Sequence, residues 1–508
     1  MDHTPILVGA GQFTERIGTV GYLGLSPVEL AAAAAQRALD DAGAAPVAVD
    51  AIATVRTFED SFPGPAPFGK SNNFPRSLAR RLGLAPKLAY WEAMGGNTPQ
   101  QLVNRFAERL ARGEVEVVLL AGAEAISTVR HLLARGETRN WAETLDEPVD
   151  DRGAGWDELL SPELVAHRLL NIPALYALFE NARRARLGQG RDEYRAAMGD
   201  LFAPFTRVAA QNPYSAAAVV PQTGAELATP TASNRWIAEP YPLHLVARDQ
   251  VNQAAALVLT TVAKARALGI PRQKWVFLHG YADLAERDLL DRPDLGAYPA
   301  GVAAVRAALA WARVPVERVA LFDFYSCFPI AVSAVAQDGL GLAPDDPRGL
   351  TVTGGLPYFG GPGNNYAMHA IAEMVVQLRA RPGAFGLVGA NGGFLSKYSA
   401  GVYSTAPAVW NECACADLQR ELDAVPAPRR AATPAGAATT ETATGVFATG
   451  EPDYAAVVAR SVADGGRLLA RTRPGDVATL RQLLAGEPLG RRIRVEPTAA
   501  GHALVLAP

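Results

Sequence analysis

Residues 354–369 read Gly354-Gly355-Leu356-Pro357-Tyr358-Phe359-Gly360-Gly361-Pro362-Gly363-Asn364-Asn365-Tyr366-Ala367-Met368-His369, a glycine-rich loop set directly in front of a helix. Much earlier, Gly95-Gly96-Asn97-Thr98-Pro99-Gln100 does the same. Each helix leads into a similar strand, VLLAGAEA at 118–125 and FGLVGANG at 385–392. The loops and the strands repeat at nearly the same spacing. One helix–strand unit used twice predicts two related halves facing each other, with two glycine-capped helix starts framing a site.

The flanking chain fits an α/β protein. PILVGAG (5–11) reads as a buried strand. Ser26-Pro27-Val28-Glu29 has the capping-box pattern with proline at the first helical position, and Gly43 can end the helix it opens. Thr98-Pro99-Gln100-Gln101 reads as a second capping box. The nearly all-apolar VEVVLLAGAEA suits a parallel strand covered on both faces. Residues 1–125 thus form a first half. From 126 to 245 the alternation breaks into charged helices and loops, an inserted lobe with a return strand to about 261. Strand and helix alternate again over 246–407, the second half. PAPRRAATPAGAATT marks a flexible linker over 408–440, and the short strand-like pieces of 441–508 predict a small all-β, OB-like module.

At 508 residues the chain is long enough for several domains, with 49% hydrophobic and 19% charged residues. A net charge of −3 points to neither nucleic acid nor an anionic membrane as partner. No apolar run is long enough for a membrane span, and no secretory signal is visible. The three cysteines, Cys327, Cys413 and Cys415, argue against a disulfide framework and for a reducing cytoplasm. Cys413-Ala414-Cys415 is too tight for the common zinc spacing, so no metal site is expected.

Taken together, GAGQF, GGNTPQQLVNR, LLAGAEA, RDQVNQAAA (248–256), DFYSCFPIAV (323–332), GGLPYFGGPGNNYA and the ANGG turn resemble the thiolase superfamily over about residues 4–407. Within it the chain is similar to the type-one thiolase-like proteins, described as acetyl-CoA acetyltransferase-like, which carry an extra C-terminal β-domain. The resemblance implies a five-layered fold of two pseudo-symmetric βαβ halves and a CoA thioester as substrate or ligand, with no covalently bound cofactor. It leaves a homodimer through the core open.

The departures from the superfamily bear on chemistry. Its nucleophilic cysteine, at the head of the first central helix, falls on Gly96, or on Gly95 if the loop shifts by one. Its Gly-His-Pro loop reads Gly360-Gly361-Pro362, and its Cys-x-Gly turn reads Ala390-Asn391-Gly392. The motif that is His-Asp-Cys-Phe in sterol-carrier-type thiolases reads Tyr325-Ser326-Cys327-Phe328. Standard thiolase chemistry is therefore not expected. The candidate catalytic residues that remain are Tyr325, Asn365, Tyr366, Asn391 and Cys327, the last opening a helix that can stabilise a thiolate. Free N–H groups at Asn364–Tyr366 can hold a thioester oxygen. Gly95, Gly96, Asn97, Gly361, Asn364 and His369 complete the expected binding frame. Two readings follow. One is an enzyme on CoA thioesters, either an acyltransferase or a tyrosine-dependent lyase of β-hydroxyacyl-CoA, as in the thiolase-like steroid side-chain aldolases that work beside an OB-fold partner. The other is a non-catalytic CoA-binding or scaffold protein.

Overall fold

The computed structural model describes residues 2–43, 49–62, 64–156, 159–473, 475–498 and 501–506. The first helix, Pro27–Ala42, begins as its sequence dictates: Ser26 Oγ accepts from the Glu29 N–H, Glu29 caps the Ser26 N–H in return, and Gly43 ends the helix in the left-handed region at φ 68°. Its alanines lie on strand β1 (Pro5–Thr14), where a Cβ on Gly11 would stand 2.5 Å from Ala38 N. Strands β2 (Ala51–Thr54), β3 (Leu88–Trp91) and β4 (Val117–Glu124) follow. In the lobe lie β5 (Asp150–Asp151), β6 (Trp236–Ala238) and β7 (Tyr241–Pro242). After it come β8 (Gln253–Thr261), β9 (Val276–Ala285), β10 (Val319–Phe324), β11 (Phe385–Gly392) and β12 (Lys397–Ser404).

The sheet order shows the repeat directly. β1 runs antiparallel to β8, β8 antiparallel to β4, and β4 parallel to β2. β9, β12, β11 and β10 repeat the same three pairings in the same order. The close helix contact repeats as well: a Cβ on Gly280 of β9 would stand 2.5 Å from Ala312 N, at the end of the helix Pro299–Ala312. The central helices, Thr98–Ala111 and Tyr366–Ala380, pack on each other and on both half-sheets. Outer helix, sheet, central helices, sheet and outer helix make five layers.

β1 also pairs with β9 at Ile6–Phe277 and Leu7–Val276, which joins the two half-sheets into one ten-stranded sheet. Two details differ from expectation. The return strand β8 lies between β1 and β4, so the first half is completed by chain that follows the lobe. The second capping box is not formed: Asn97, not Thr98, occupies the cap position, and its side chain makes no cap hydrogen bond.

At the C-terminus β13 (Gly436–Ala448), β14 (Glu451–Ser461), β15 (Arg467–Arg471), β16 (Arg492–Thr498) and β17 (Gly501–Leu506) pair in the order β14–β15–β17–β16–β13, and β13 closes on β14. This is an OB-like barrel with a parallel pair at β15–β17. One short helix, Val477–Leu484, packs on it through Leu480 and Leu483. The expected linker is also structured in part. A helix covers Cys415–Asp423, β13 starts at Gly436, and Cys413 and Cys415 form a disulfide, which sets aside the cysteine argument for a reducing compartment. Residues 474, 499–500 and 507–508 of this module lie outside the described residues.

The barrel is docked, not tethered. Val446 of β13 pairs with Ala238 of β6, and Thr442 Oγ1 donates to Leu178 O at 2.6 Å. Arg467, 1% exposed, donates to Leu290 O and Arg292 O and pairs with Glu441. His167 of the lobe meets His502 of β17, ring nitrogen to ring nitrogen at 2.9 Å.

Burial holds both imidazoles below the ordinary histidine range, with His167 adding to the effect at His502. The folded state thus favours the neutral rings. Their contribution is complete above the ordinary value of 6.5 and is lost as pH falls through the folded values. The thermal midpoint of the full chain is expected to drop on acidification from pH 6.5, and less steeply in His502→Gln. Parallel curves for the two proteins would show that this junction does not sense pH.

Candidate functional site

Both central helices begin inside the protein, where the first N–H groups of a helix have no intrahelical acceptor. Asn364 joins the two heads. Its Oδ1 accepts the Gly95 N–H at 3.0 Å, and its Nδ2 donates to Arg56 O at 2.9 Å and Ser61 Oγ at 3.2 Å. Asn365 Nδ2 donates to Gly122 O at 2.7 Å, while Asn365 Oδ1 is buried without a partner. The Asn365 N–H is not free to hold an oxyanion, because it donates to Pro362 O at 2.8 Å. Asn97 Nδ2 donates to Ser399 Oγ at 3.2 Å, and its Oδ1 is unpartnered.

Tyr325 lies against the head of the first helix. A Cβ on Gly96 would fall on its hydroxyl and ring, and would stand 2.5 Å from Asn391 O. The place where a side chain at 96 would start is therefore filled. The Tyr325 hydroxyl has no hydrogen-bond partner among the described residues, and burial raises its pKa well above the ordinary phenol value. Its ring meets that of Tyr366 edge-on at 5.4 Å. The Tyr366 hydroxyl lies 3.0 Å from Asp323 Oδ1 and 2.5 Å from Thr353 Oγ1. Burial raises Asp323 to about 6, opposed by the Val352 and Thr353 N–H groups and the Thr351 hydroxyl.

Asn391 organises the other side. Its Nδ2 donates to Tyr176 Oη at 2.7 Å and faces Cys327 Sγ at 3.7 Å, and its Oδ1 accepts from Tyr298 at 3.0 Å. Tyr176 comes from the lobe helix Ile172–Arg186, stacks on Phe328 at 4.2 Å and donates to Gly393 O. Cys327 does not have the stabilised thiolate its helix-opening position suggests. Burial pushes its thiol up to about 12 despite the helix that follows, Pro329–Val332 continued as π-helix over Ser333–Gln337.

The structure thus brings Gly95, Gly96, Asn97, Tyr325, Cys327, Asn364, Asn365, Tyr366 and Asn391 to the helix heads. Gly361 borders them differently: its N–H donates to Arg248 O, and the nearest atom to an added Cβ is that oxygen at 3.2 Å. His369 is not at the centre. It faces β1, with Nδ1 2.8 Å from Gln12 Oε1, and burial lowers it to about 3, so the ring is neutral. Sequence reasoning missed Tyr176, Tyr298 and Asp323. Asp323 was within reach, since it opens DFYSCF. Tyr176 carried no signal in a lobe without a pattern.

The fold and this paired helix-head centre are those of a thiolase-superfamily protein. Residues 417–500 match the model of the thiolase-like protein type 1 additional C-terminal domain. Over 100% of both chains the protein is 44% identical, with a TM-score of 0.85, to a monomeric SCP2-thiolase-like protein type 1 from Mycobacterium smegmatis. The chain belongs to the SCP2-thiolase-like protein type 1 family. In fold alone it is similar to the Ltp2–ChsH2(DUF35) aldolase, at 19% identity over 79% of this chain and 98% of that one with a TM-score of 0.58. It is likewise similar to human mitochondrial 3-ketoacyl-CoA thiolase, at 16% identity over 80% and 100% with a TM-score of 0.59. No curated protein matches. Among the described residues no helix is long and apolar enough to cross a membrane.

Gly96→Ala is expected to destabilise the fold by about 1–3 kcal/mol through overpacking. Combining it with Tyr325→Ala should recover only part of that loss, because Asn391 O still crowds the new methyl. Urea unfolding of the single and double variants measures this, and a wild-type midpoint for Gly96→Ala would refute the packing assignment.

Proposed function

We propose that the protein takes a CoA thioester without forming an acyl-enzyme, and that its chemistry is carbon–carbon cleavage of a β-hydroxyacyl-CoA, not acyl transfer. The observation that supports this is the unpartnered Tyr325 hydroxyl at Gly96, where the superfamily's acyl-carrying side chain would begin. A phenol kept neutral by burial is a poor base but a good hydrogen-bond donor. Placed at a helix head, it can stabilise a thioester oxygen as enolate charge develops there.

In such a cleavage the β-hydroxyl loses its proton, the Cα–Cβ bond breaks, a carbonyl compound leaves, and the thioester enolate takes a proton at Cα. Tyr366 is the acceptor side of this scheme. It passes the hydroxyl proton to Asp323, which a pKa of about 6 leaves ionised at neutral pH. The same scaffold carries an aldolase and a thiolase among its neighbours in fold, so the fold does not decide between them; the side chains do. We take the chain to act as a monomer, in keeping with β5 covering the β3 edge and with the monomeric relative.

A second reading, binding without catalysis, draws on Tyr176, whose stacking on Phe328 and bond to Asn391 close the centre on the lobe side. One experiment separates the readings. The full chain is incubated with a β-hydroxyacyl-CoA, and the shortened acyl-CoA and released carbonyl compound are followed. Turnover that falls at least tenfold in Tyr325→Phe is expected. Turnover unchanged by that substitution would remove Tyr325 from the chemistry, and absence of turnover in the wild type would leave the binding reading. With acetyl-CoA, intact mass should show no acetyl adduct on Cys327.

A further inference from the structure

A cavity of about 340 Å³ lies beside the first half, away from Tyr325, between the segment that follows β2 and the end of β4. Its walls are apolar, with the rings of Phe58 and Phe62, Pro65 and Val129 among them. Its floor is Glu124, the last residue of β4 and only 2% exposed. Oε1 of that carboxyl accepts the Phe58 N–H at 2.7 Å. Oε2 has no partner among the described residues. Glu59 also lines the cavity, and its carboxylate accepts no hydrogen bond among the described residues.

The surrounding charges do not compensate this pair. Arg130, the cation on the cavity wall, is 2.9 Å from Asp249 and is spent on it. Lys70 donates to the backbone carbonyl of Glu59, not to its carboxylate. Asp60 is held by Thr57. Two carboxyls thus face an apolar, aromatic-walled space with no ion pair of their own among the described residues; Lys70 opposes the charge of Glu59 only in part, and an entering cation would offset the rest.

The geometry points to a binding site for an organic ammonium ion with a short apolar body, its charge between Glu124 and Glu59 and its carbon chain against Phe58 and Phe62. Aromatic faces add attraction for such a cation. Burial, together with repulsion from Asp60, Glu59 and Asp249, raises the pKa of Glu124 well above the carboxylate range, and Glu59 is raised as well. Burial thus favours the protonated carboxyl in the empty cavity, and an ammonium ion, which favours the carboxylate, shifts Glu124 towards proton release. Affinity should rise with pH, and the heat of binding should depend on the ionisation heat of the buffer. The inference uses neither Tyr325 nor a bound thioester, although Glu124 packs on Gly363 of the second loop and Ser61, at the end of the Phe58–Ser61 turn, bonds to Asn364.

Titration calorimetry of the full chain with hexylammonium, hexyltrimethylammonium and hexanol tests it. At least one ammonium ion should bind at least tenfold more tightly than hexanol, with proton release. Glu124→Gln should weaken ammonium binding at least tenfold, abolish the proton release and leave hexanol binding unchanged. If Glu124→Gln does not fold, Glu59→Gln carries the same comparison, with the same tenfold loss expected. Hexanol binding as tightly as both ammonium ions, no binding by either ion, or ammonium affinity unchanged in a folded variant would each overturn the assignment.

Discussion

Two helix heads buried against each other are the constraint on which this structure depends. A buried N–H without an acceptor is costly, and the heads of Thr98–Ala111 and Tyr366–Ala380 lie at the centre of a five-layered protein. Asn364 ties the two heads together: its side chain accepts the Gly95 N–H and donates to Arg56 O and Ser61 Oγ across the boundary between the halves, while the second head turns its own Asn365 N–H onto Pro362 O. The glycines of the loops follow from the same requirement. At Gly363 the backbone turns to φ 54° and passes so close to Glu124 that no side chain fits. The repeat is therefore held by polar satisfaction at its centre, and the sheets and outer helices pack around that join.

The same burial removed reactivity. A reactive thiolate needs partial exposure and positive surroundings, and Cys327 has a buried position among tyrosines that pushes it to about 12. The first loop is closed to a nucleophile by Tyr325, while the second loop still has room at Gly361 for a side chain if Arg248 O yields by a few tenths of an ångström. This asymmetry matters. The start of a side chain at Gly96 is occupied by Tyr325, whereas the corresponding space at Gly361 is not occupied by another side chain's ring or hydroxyl. The proposed non-covalent thioester chemistry draws on this asymmetry.

Much of the fold was legible because it rests on local signals. The Ser26 box, Gly43 and the apolar run of β4 each dictate their own element, and the spacing of the two loops gives the halves. The Thr98 box failed because tertiary contacts override local preference: Thr98 Oγ1 donates to Ala93 O and Asn97 is drawn to Ser399. The end of the linker was misread because its Pro, Ala and Thr content suits both a flexible chain and the start of β13, and only pairing with β14 and β16 of the barrel decides. At the site, the loop residues were found by position in a repeat. Tyr176 was not, since it arrives from the lobe, and Cys327 was misjudged because sequence shows the start of a helix but not its burial.

The fused barrel gives the closed centre its meaning. Tyr176 sits on the lobe helix Ile172–Arg186, and the barrel grips that helix: Asn181 Nδ2 donates to Ala443 O and Thr442 Oγ1 donates to Leu178 O. Arg467 then ties the barrel to the second half at Leu290 and Arg292. Displacing Tyr176 would break its bonds to Asn391 and Gly393 and its stack on Phe328. The helix that carries Tyr176 cannot swing aside without also disturbing β13. The position of Tyr176 and the seating of the barrel are therefore one mechanical problem, and a module that looks like an appendage in the sequence is part of the wall of the site.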